Sequence, residues 1–144
     1  MFLGEYTHAI DTKKRLSIPT RLRKELGDRA VLTRGPDHCL FLYPQSAWER
    51  IANKLSALSL GQADTRNFVR FTLSGASEVE FDGLGRITIP ENLKQYSRLG
   101  NKAVVVGVND RIEIWSPEGW EEIRKKTENN ADQLAERLGE LGVF

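Results

Sequence analysis

Two hydrophobic periods succeed one another along this chain. Tyr6, His8 and Ile10 alternate with Thr7 and Ala9, and Leu16 and Ile18 flank Ser17, the pattern of strands with one buried face. Pro19 closes the second strand, since proline lacks a ladder N–H and suits a sheet edge or the entry to a helix. Leu22 and Leu26, four apart, predict a short amphipathic helix over Thr20–Leu26 that ends at Gly27. Residues 30–43 then read as a hairpin around Gly35-Pro36-Asp37. Residues 46–58 read as a helix with Trp48, Ile51, Leu55 and Leu58 on one stripe.

The same succession returns further along. Ile10-Asp11-Thr12-Lys13-Lys14-Arg15-Leu16-Ser17-Ile18-Pro19 reappears as Phe81-Asp82-Gly83-Leu84-Gly85-Arg86-Ile87-Thr88-Ile89-Pro90, an offset of 71 positions. Leu93, Tyr96 and Leu99 before Gly100 repeat the short helix, and residues 103–115 repeat the hairpin, turning at Asn109-Asp110. Arg111-Ile112-Glu113-Ile114 alternates as a half-buried strand. Trp48 and Trp120 fall at equivalent positions, which favours packing anchors over stacking platforms. A near-constant offset implies a duplicated unit. The expected divisions are 5–47 for a first module, 48–75 for a helical connection, 76–119 for a second module and 120–144 for a C-terminal helical segment. Residues 59–63 are the best boundary between halves, and Asp64 is expected to cap a helix through Phe68 and Phe71. Leu134, Leu138 and Leu141 recur at helical spacing with Ala131 and Ala135. That stripe must bury against the body of the protein or a neighbouring subunit.

Charge separates the halves that pattern makes alike. Residues 1–72 hold 12 Lys and Arg against 7 Asp and Glu, whereas 73–144 hold 9 against 13. Segment 13–29 alone carries Lys13, Lys14, Arg15, Arg21, Arg23, Lys24 and Arg29 against Glu25 and Asp28. A basic stripe beside a turn is the footprint of an anion binder, with nucleic acid the leading candidate; the plainer reading is a solvated helix face. The single cysteine, Cys39, can form no internal disulfide and fits a reducing cytoplasm. The opening residues resemble no signal peptide, and the longest apolar run, 103–108, is too short to span a bilayer. A cytoplasmic protein with no membrane partner is expected.

The residues shared by the halves reduce to Asp-x-x-x-Arg. An aspartate entering a turn can accept backbone N–H bonds from the residues that follow and so fix it. The arginine can fold back onto that aspartate or reach outward with a planar fork suited to phosphate or guanine, and the two roles can coexist. The first turn adds Lys13 and Lys14, whereas the second has uncharged Gly83-Leu84-Gly85. The first module should therefore carry most of the electrostatic binding and the second be mainly structural. Three basic residues on phosphate would give a salt slope of about −2.7.

Enzymatic chemistry finds little footing. His8, His38 and Cys39 have no metal-ligand spacing, and neither a P-loop nor a Gly-x-Ser-x-Gly elbow occurs. No catalytic residue, metal, cofactor or small-molecule substrate is expected.

The opening Met1-Phe2-Leu3-Gly4-Glu5-Tyr6, both Asp-x-x-x-Arg turns, Leu32-Thr33-Arg34-Gly35 and Cys39-Leu40-Phe41 closely resemble MraZ proteins. So do Leu73-Ser74-Gly75-Ala76-Ser77-Glu78 and Arg111-Ile112-Glu113-Ile114-Trp115. The resemblance implies an α+β, mainly β fold: tandem AbrB-like swapped-hairpin modules in one pseudo-symmetric, β-barrel-like domain with flanking helices. It further implies a ring-like homo-oligomer and a transcriptional regulator associated with the nucleoid. Its partner would be double-stranded promoter DNA, bound at short direct repeats upstream of the division and cell-wall gene cluster and its own gene. The DNA-contacting turn of that family falls on Asp11, Lys13 and Arg15, with Lys14, Arg21 and Arg23 adjoining and Asp82 and Arg86 as second-module equivalents. The family usually has glycine where this chain has Lys14, while Gly85 is retained. If the position requires a positive φ, Lys14 is strained; if not, it adds a phosphate contact. An antitoxin-like protein-interaction module of AbrB-type fold is the alternative.

Overall fold

The computed structural model describes residues 1–143. Its strands are β1 (Phe2–Ala9), β2 (Arg15–Ser17), β3 (Arg29–Arg34), β4 (Leu40–Pro44), β5 (Ser77–Glu80), β6 (Arg86–Thr88), β7 (Lys102–Asn109) and β8 (Ile112–Trp115). Its α-helices are α1 (Thr20–Leu26), α2 (Gln45–Ser56), α3 (Ala63–Ser74), α4 (Glu91–Tyr96), α5 (Pro117–Asn129) and α6 (Ala131–Glu140). Six strands form one antiparallel sheet in the order β1-β7-β8-β4-β3-β5, and β2 pairs with β6 separately.

That order reads the same from either end when each strand is exchanged for its counterpart in the other half. β1 pairs with β7, and β5 with β3, so each half lends its first strand to the other half's hairpin. β4 meets β8 and β2 meets β6 across the same relation. Neither half completes its sheet alone.

The fold is α+β, but the expected barrel does not close. Closure would require the edge strands β1 and β5 to pair with each other. Instead each is followed by an aspartate turn into β2 or β6, and those two strands pair apart from the large sheet. The main core lies beneath this small ladder, where Leu16, Ile18, Leu22, Leu32, Leu40, Leu42, Ile87, Ile89, Leu93, Ile112 and Ile114 pack together. A smaller cluster of Cys39, Val104, Val106 and Trp115 packs with Trp120 and Ile123 of α5.

Several local expectations hold. α1 buries Leu22 and Leu26 and ends at Gly27, whose φ of 78° explains the glycine. The β7–β8 turn places Asn109 at φ 70°, and asparagine tolerates that region better than most side chains. Trp48 lies 6.0 Å from the Tyr43 ring and Trp120 5.6 Å from the Trp115 ring, so both act as packing anchors at matching positions. Gly107 sits where β1 passes: a Cβ there would meet the backbone of Phe2 and Leu3.

Others are revised. Asp64 lies in the first turn of α3 rather than capping it; Gln62 holds the cap position. β8 is buried along its whole length, because α5 and Trp120 cover the face that alternation assigned to solvent. Glu113 tolerates this through Arg111, 2.9 Å away, and the indole N–H of Trp115, which donates to it at 3.1 Å. The C-terminal helical segment comprises two helices parted at Asn130, and Leu141 lies just past the end of the second.

The ladder's contribution to the core is open to a direct test. Ile87 is fully buried on β6 opposite Leu16. Ile87→Ala should cost about 2–5 kcal/mol through lost transfer energy and the residual cavity. Urea unfolding at fixed protein concentration should show a lower midpoint with an unchanged slope.

Candidate nucleic-acid interface

The two Asp-x-x-x-Arg turns have the same construction. In the first, Asp11 Oδ1 accepts the N–H groups of Lys13 and Arg15, both at 2.9 Å, and Arg15 Nε donates to Oδ2 at 2.6 Å. In the second, Asp82 Oδ1 accepts from Leu84 and Arg86 at 2.9 and 3.0 Å, and Arg86 Nε donates to Oδ2 at 2.8 Å. The backbone closes each loop: Lys14 N–H donates to the Asp11 carbonyl and Gly85 N–H to that of Asp82, both at 3.0 Å. Bonds from the following N–H groups and arginines favour the ionised carboxylates and hold Asp11 and Asp82 below the ordinary value of 3.8.

Lys14 takes a φ of 62°, matching the 76° of Gly85. The position therefore requires the left-handed region, and a lysine occupies it. The surroundings of the two residues differ accordingly. Over Gly85 lies the Arg23 guanidinium, tied to the Ile18 carbonyl at 3.0 Å and the Thr20 hydroxyl at 2.7 Å; a Cβ on Gly85 would collide with it. Across the pseudo-symmetric relation the helix presents Glu91, and Lys14 Nζ approaches it to 3.4 Å. Arg23 thus closes over a glycine on one side, while an exposed ion pair fills the equivalent place on the other.

The ladder brings the turns together. Arg15 lies opposite Thr88 and Arg86 opposite Ser17, a stagger of two residues and about 7 Å along the strands. Arg86 also reaches the first turn, with its guanidinium 3.7 Å from Asp11 Oδ2. Asp11 is therefore shared between both arginines, a link that sequence spacing concealed because it spans the two halves. Among the described residues, Arg15 uses only Nε internally. Its folding back and its availability for an outside acceptor therefore coexist.

The other predicted positions separate. Lys13 is exposed at the tip of the first turn, with its backbone fixed and its ammonium outward. Arg21 is exposed on α1. Arg23 is half-buried, bonded to the Ile18 carbonyl and the Thr20 hydroxyl of its own half, and packs over Gly85 of the second turn. Nothing in the sequence marked this, since Arg23 lies far from Gly85 along the chain. No group of His, Cys, Asp and Glu suited to a metal occurs among the described residues, and no described helix is long and apolar enough to cross a membrane.

The profile of the family described as "MraZ protein, putative antitoxin-like" matches the chain twice, over residues 1–71 and 72–141. Among similar proteins is a "Transcriptional regulator MraZ" from Desulforamulus reducens, 49% identical over 98% of this chain and 99% of its own. Proteins of the same name from Alkaliphilus metalliredigens and Moorella thermoacetica are 48% and 49% identical, each over 99% of this chain and all of their own. Matches of this extent, together with two copies of the Asp-x-x-x-Arg turn, place the chain in the MraZ family.

Proposed function

We propose that this protein is a cytoplasmic, non-enzymatic transcriptional regulator that binds promoter DNA in a sequence-specific manner. The observation that carries the reading is the pair of aspartate-anchored turns, which hold Arg15 and Arg86 two residues apart along one ladder beside exposed Lys13. Duplex DNA rises 3.4 Å per base pair along each strand. A stagger of about 7 Å therefore suits contacts about two base pairs apart when the ladder follows the major groove. Arg15 serves as a base reader, Lys13 and Arg21 meet phosphates, Lys14 lies beside them, and Arg23 positions the second turn. The exchange of β1 and β5 between halves supports the interpretation of the chain as tandem swapped-hairpin modules, divided near 5–47 and 76–119.

The resemblance assigns the target to short direct repeats upstream of the division and cell-wall gene cluster, with repression, including of the protein's own gene, as the outcome. One turn pair offers few phosphate contacts, so several copies engaging spaced repeats would gain through effective concentration. The apolar stripe of α6 supports self-assembly, since Leu134 and Leu138 are 39% and 40% exposed and the helix touches chiefly α5. A ring-like homo-oligomer covering that stripe is the proposed assembly. The same stripe also favours a second reading, an antitoxin-like module whose C-terminal helices hold a foreign protein.

Substitutions in the turns should separate reading from attraction. Arg15→Ala should weaken specific promoter binding by about 5- to 150-fold, the worth of a bidentate base contact, with assembly intact. Lys13→Ala should instead weaken all sequences alike and make the log–log salt slope shallower by about 0.9. Arg86→Ala should cost less than Arg15→Ala, chiefly by loosening Asp11. Equal specific binding by Arg15→Ala and the unaltered protein in an anisotropy titration would remove the assignment.

The turns also carry a pH signature. Both carboxylates are depressed in the folded state, so their stabilisation is fully present above 3.8 and is lost as pH falls through the lowered values. The difference in melting temperature between the unaltered protein and Asp11→Asn should stay flat from pH 8 to 5 and shrink below about 3.8. A gap that closes already between pH 7 and 5 would contradict the role given to Asp11.

Deleting residues 131–144 should reduce the assembled mass measured by light scattering while DNA binding weakens. An unchanged mass would place the subunit interface elsewhere, and stoichiometric recovery of a foreign protein through this helix would favour the second reading.

A further inference from the structure

The tip of the second turn carries an exposed leucine. Leu84 is 73% exposed, yet its backbone is fixed: its N–H donates to Asp82 Oδ1 at 2.9 Å, and Gly85 behind it is closed over by Arg23. It occupies the place that Lys13 holds in the first turn, where the same backbone bond runs to Asp11. Behind it stand Arg23 and the Arg86–Asp82 pair, whose aspartate also holds the Leu84 N–H. An apolar side chain held outward among charged groups contributes nothing to the core. It is instead presented to whatever docks on the paired turns.

On the reading that this face binds DNA, the choice of apolar target is narrow. The major groove displays donors and acceptors on every base, and its one apolar group is the thymine 5-methyl. The turns are related by pseudo-two-fold exchange, so identical tips would accept a site equally well in either direction. Lys13 and Leu84 break that equivalence, one tip suited to phosphate or guanine and the other to a methyl group. We propose that Leu84 contacts a thymine methyl and thereby sets the orientation of the paired turns on an asymmetric site.

Deoxyuridine tests this directly, because it removes the methyl and leaves the hydrogen-bonding edge unchanged. A duplex carrying the promoter region upstream of the protein's own gene, its bound site first located by footprinting, would be remade with each thymine replaced singly and titrated with the unaltered protein and Leu84→Ala. One replacement should weaken the unaltered protein about fourfold, the worth of burying one methyl-sized group. Leu84→Ala should lose at least as much on the natural duplex and be indifferent to that same replacement, so the two losses do not add. Leu84→Lys, which makes both tips cationic, should tighten binding to random DNA, steepen the salt slope by about 0.9 and lower the ratio of specific to random affinity.

The proposal is overturned if no replacement affects the unaltered protein, or if Leu84→Ala loses the same factor from every replacement. It also falls if Leu84→Lys keeps the specific-to-random ratio, or if Leu84→Ala alters the assembled mass and so places Leu84 between copies. These results would leave the DNA reading standing. That reading fails separately if the unaltered protein binds the promoter no better than random DNA of equal length.

Discussion

Each aspartate turn is completed by the half of the chain that does not contain it. The Lys14 carbonyl accepts the N–H of Ile89 at 2.8 Å, and the Gly85 carbonyl accepts that of Ile18 at 3.2 Å. These bonds extend the three-pair ladder of β2 and β6 on both sides. A two-stranded ribbon is marginal by itself. This one persists because Leu16, Ile18, Ile87 and Ile89 all point into one core, from which water is excluded. The aspartates then act on loops whose ends are already fixed. Their carboxylates order the two arginines, and the stagger of the ladder sets the distance between them. Core, ladder and turn are thus consecutive steps of one dependence.

Duplication supplies the geometry, and departures from it supply direction. Lys14 and Gly85 share a left-handed conformation, but only the glycine leaves room for a guanidinium on top. Placing lysine in that region costs of order 1 kcal/mol. It is held there by the flanking bonds of the turn, and its ammonium reaches Glu91, an exposed pair of little energetic weight. The first turn is consequently cationic and open, whereas the second is braced by Arg23 and carries its apolar residue outward. Arg86 touches the first turn's aspartate, so the halves are coupled at the turns as well as in the core.

The sequence was most legible where signals are local. Alternation located β1, the Leu22 and Leu26 pair located α1, and Asn109-Asp110 located the β7–β8 turn, since each depends on neighbours along the chain. The motif and its backbone bonds were legible for the same reason: Asp11 reaches residues only two and four positions ahead. What escaped was chiefly what the other half sets. The open sheet, the packing of Arg23 over Gly85 and the sharing of Asp11 all arise between residues roughly fifty to a hundred positions apart, while the burial of β8 depends on how the neighbouring α5 folds back over it. Periodicity carries no register across such a span. The repeat did announce that two units exist, but an offset cannot say that they trade strands.

Strand exchange also decides how firmly the paired turns are held. Were each module self-contained, the two turns could part at little cost. Here separating the turns means breaking the ladder, withdrawing β1 from β7 and β5 from β3, and exposing buried side chains of both halves. The spacing of Arg15 and Arg86 is therefore as stiff as the core itself, which close packing makes resistant to small adjustments. The region with the least attachment to the core is α6, set off from α5 at Asn130 and carrying its leucines on the surface. The paired turns are thus held by the core of both halves, whereas α6 is held chiefly by α5.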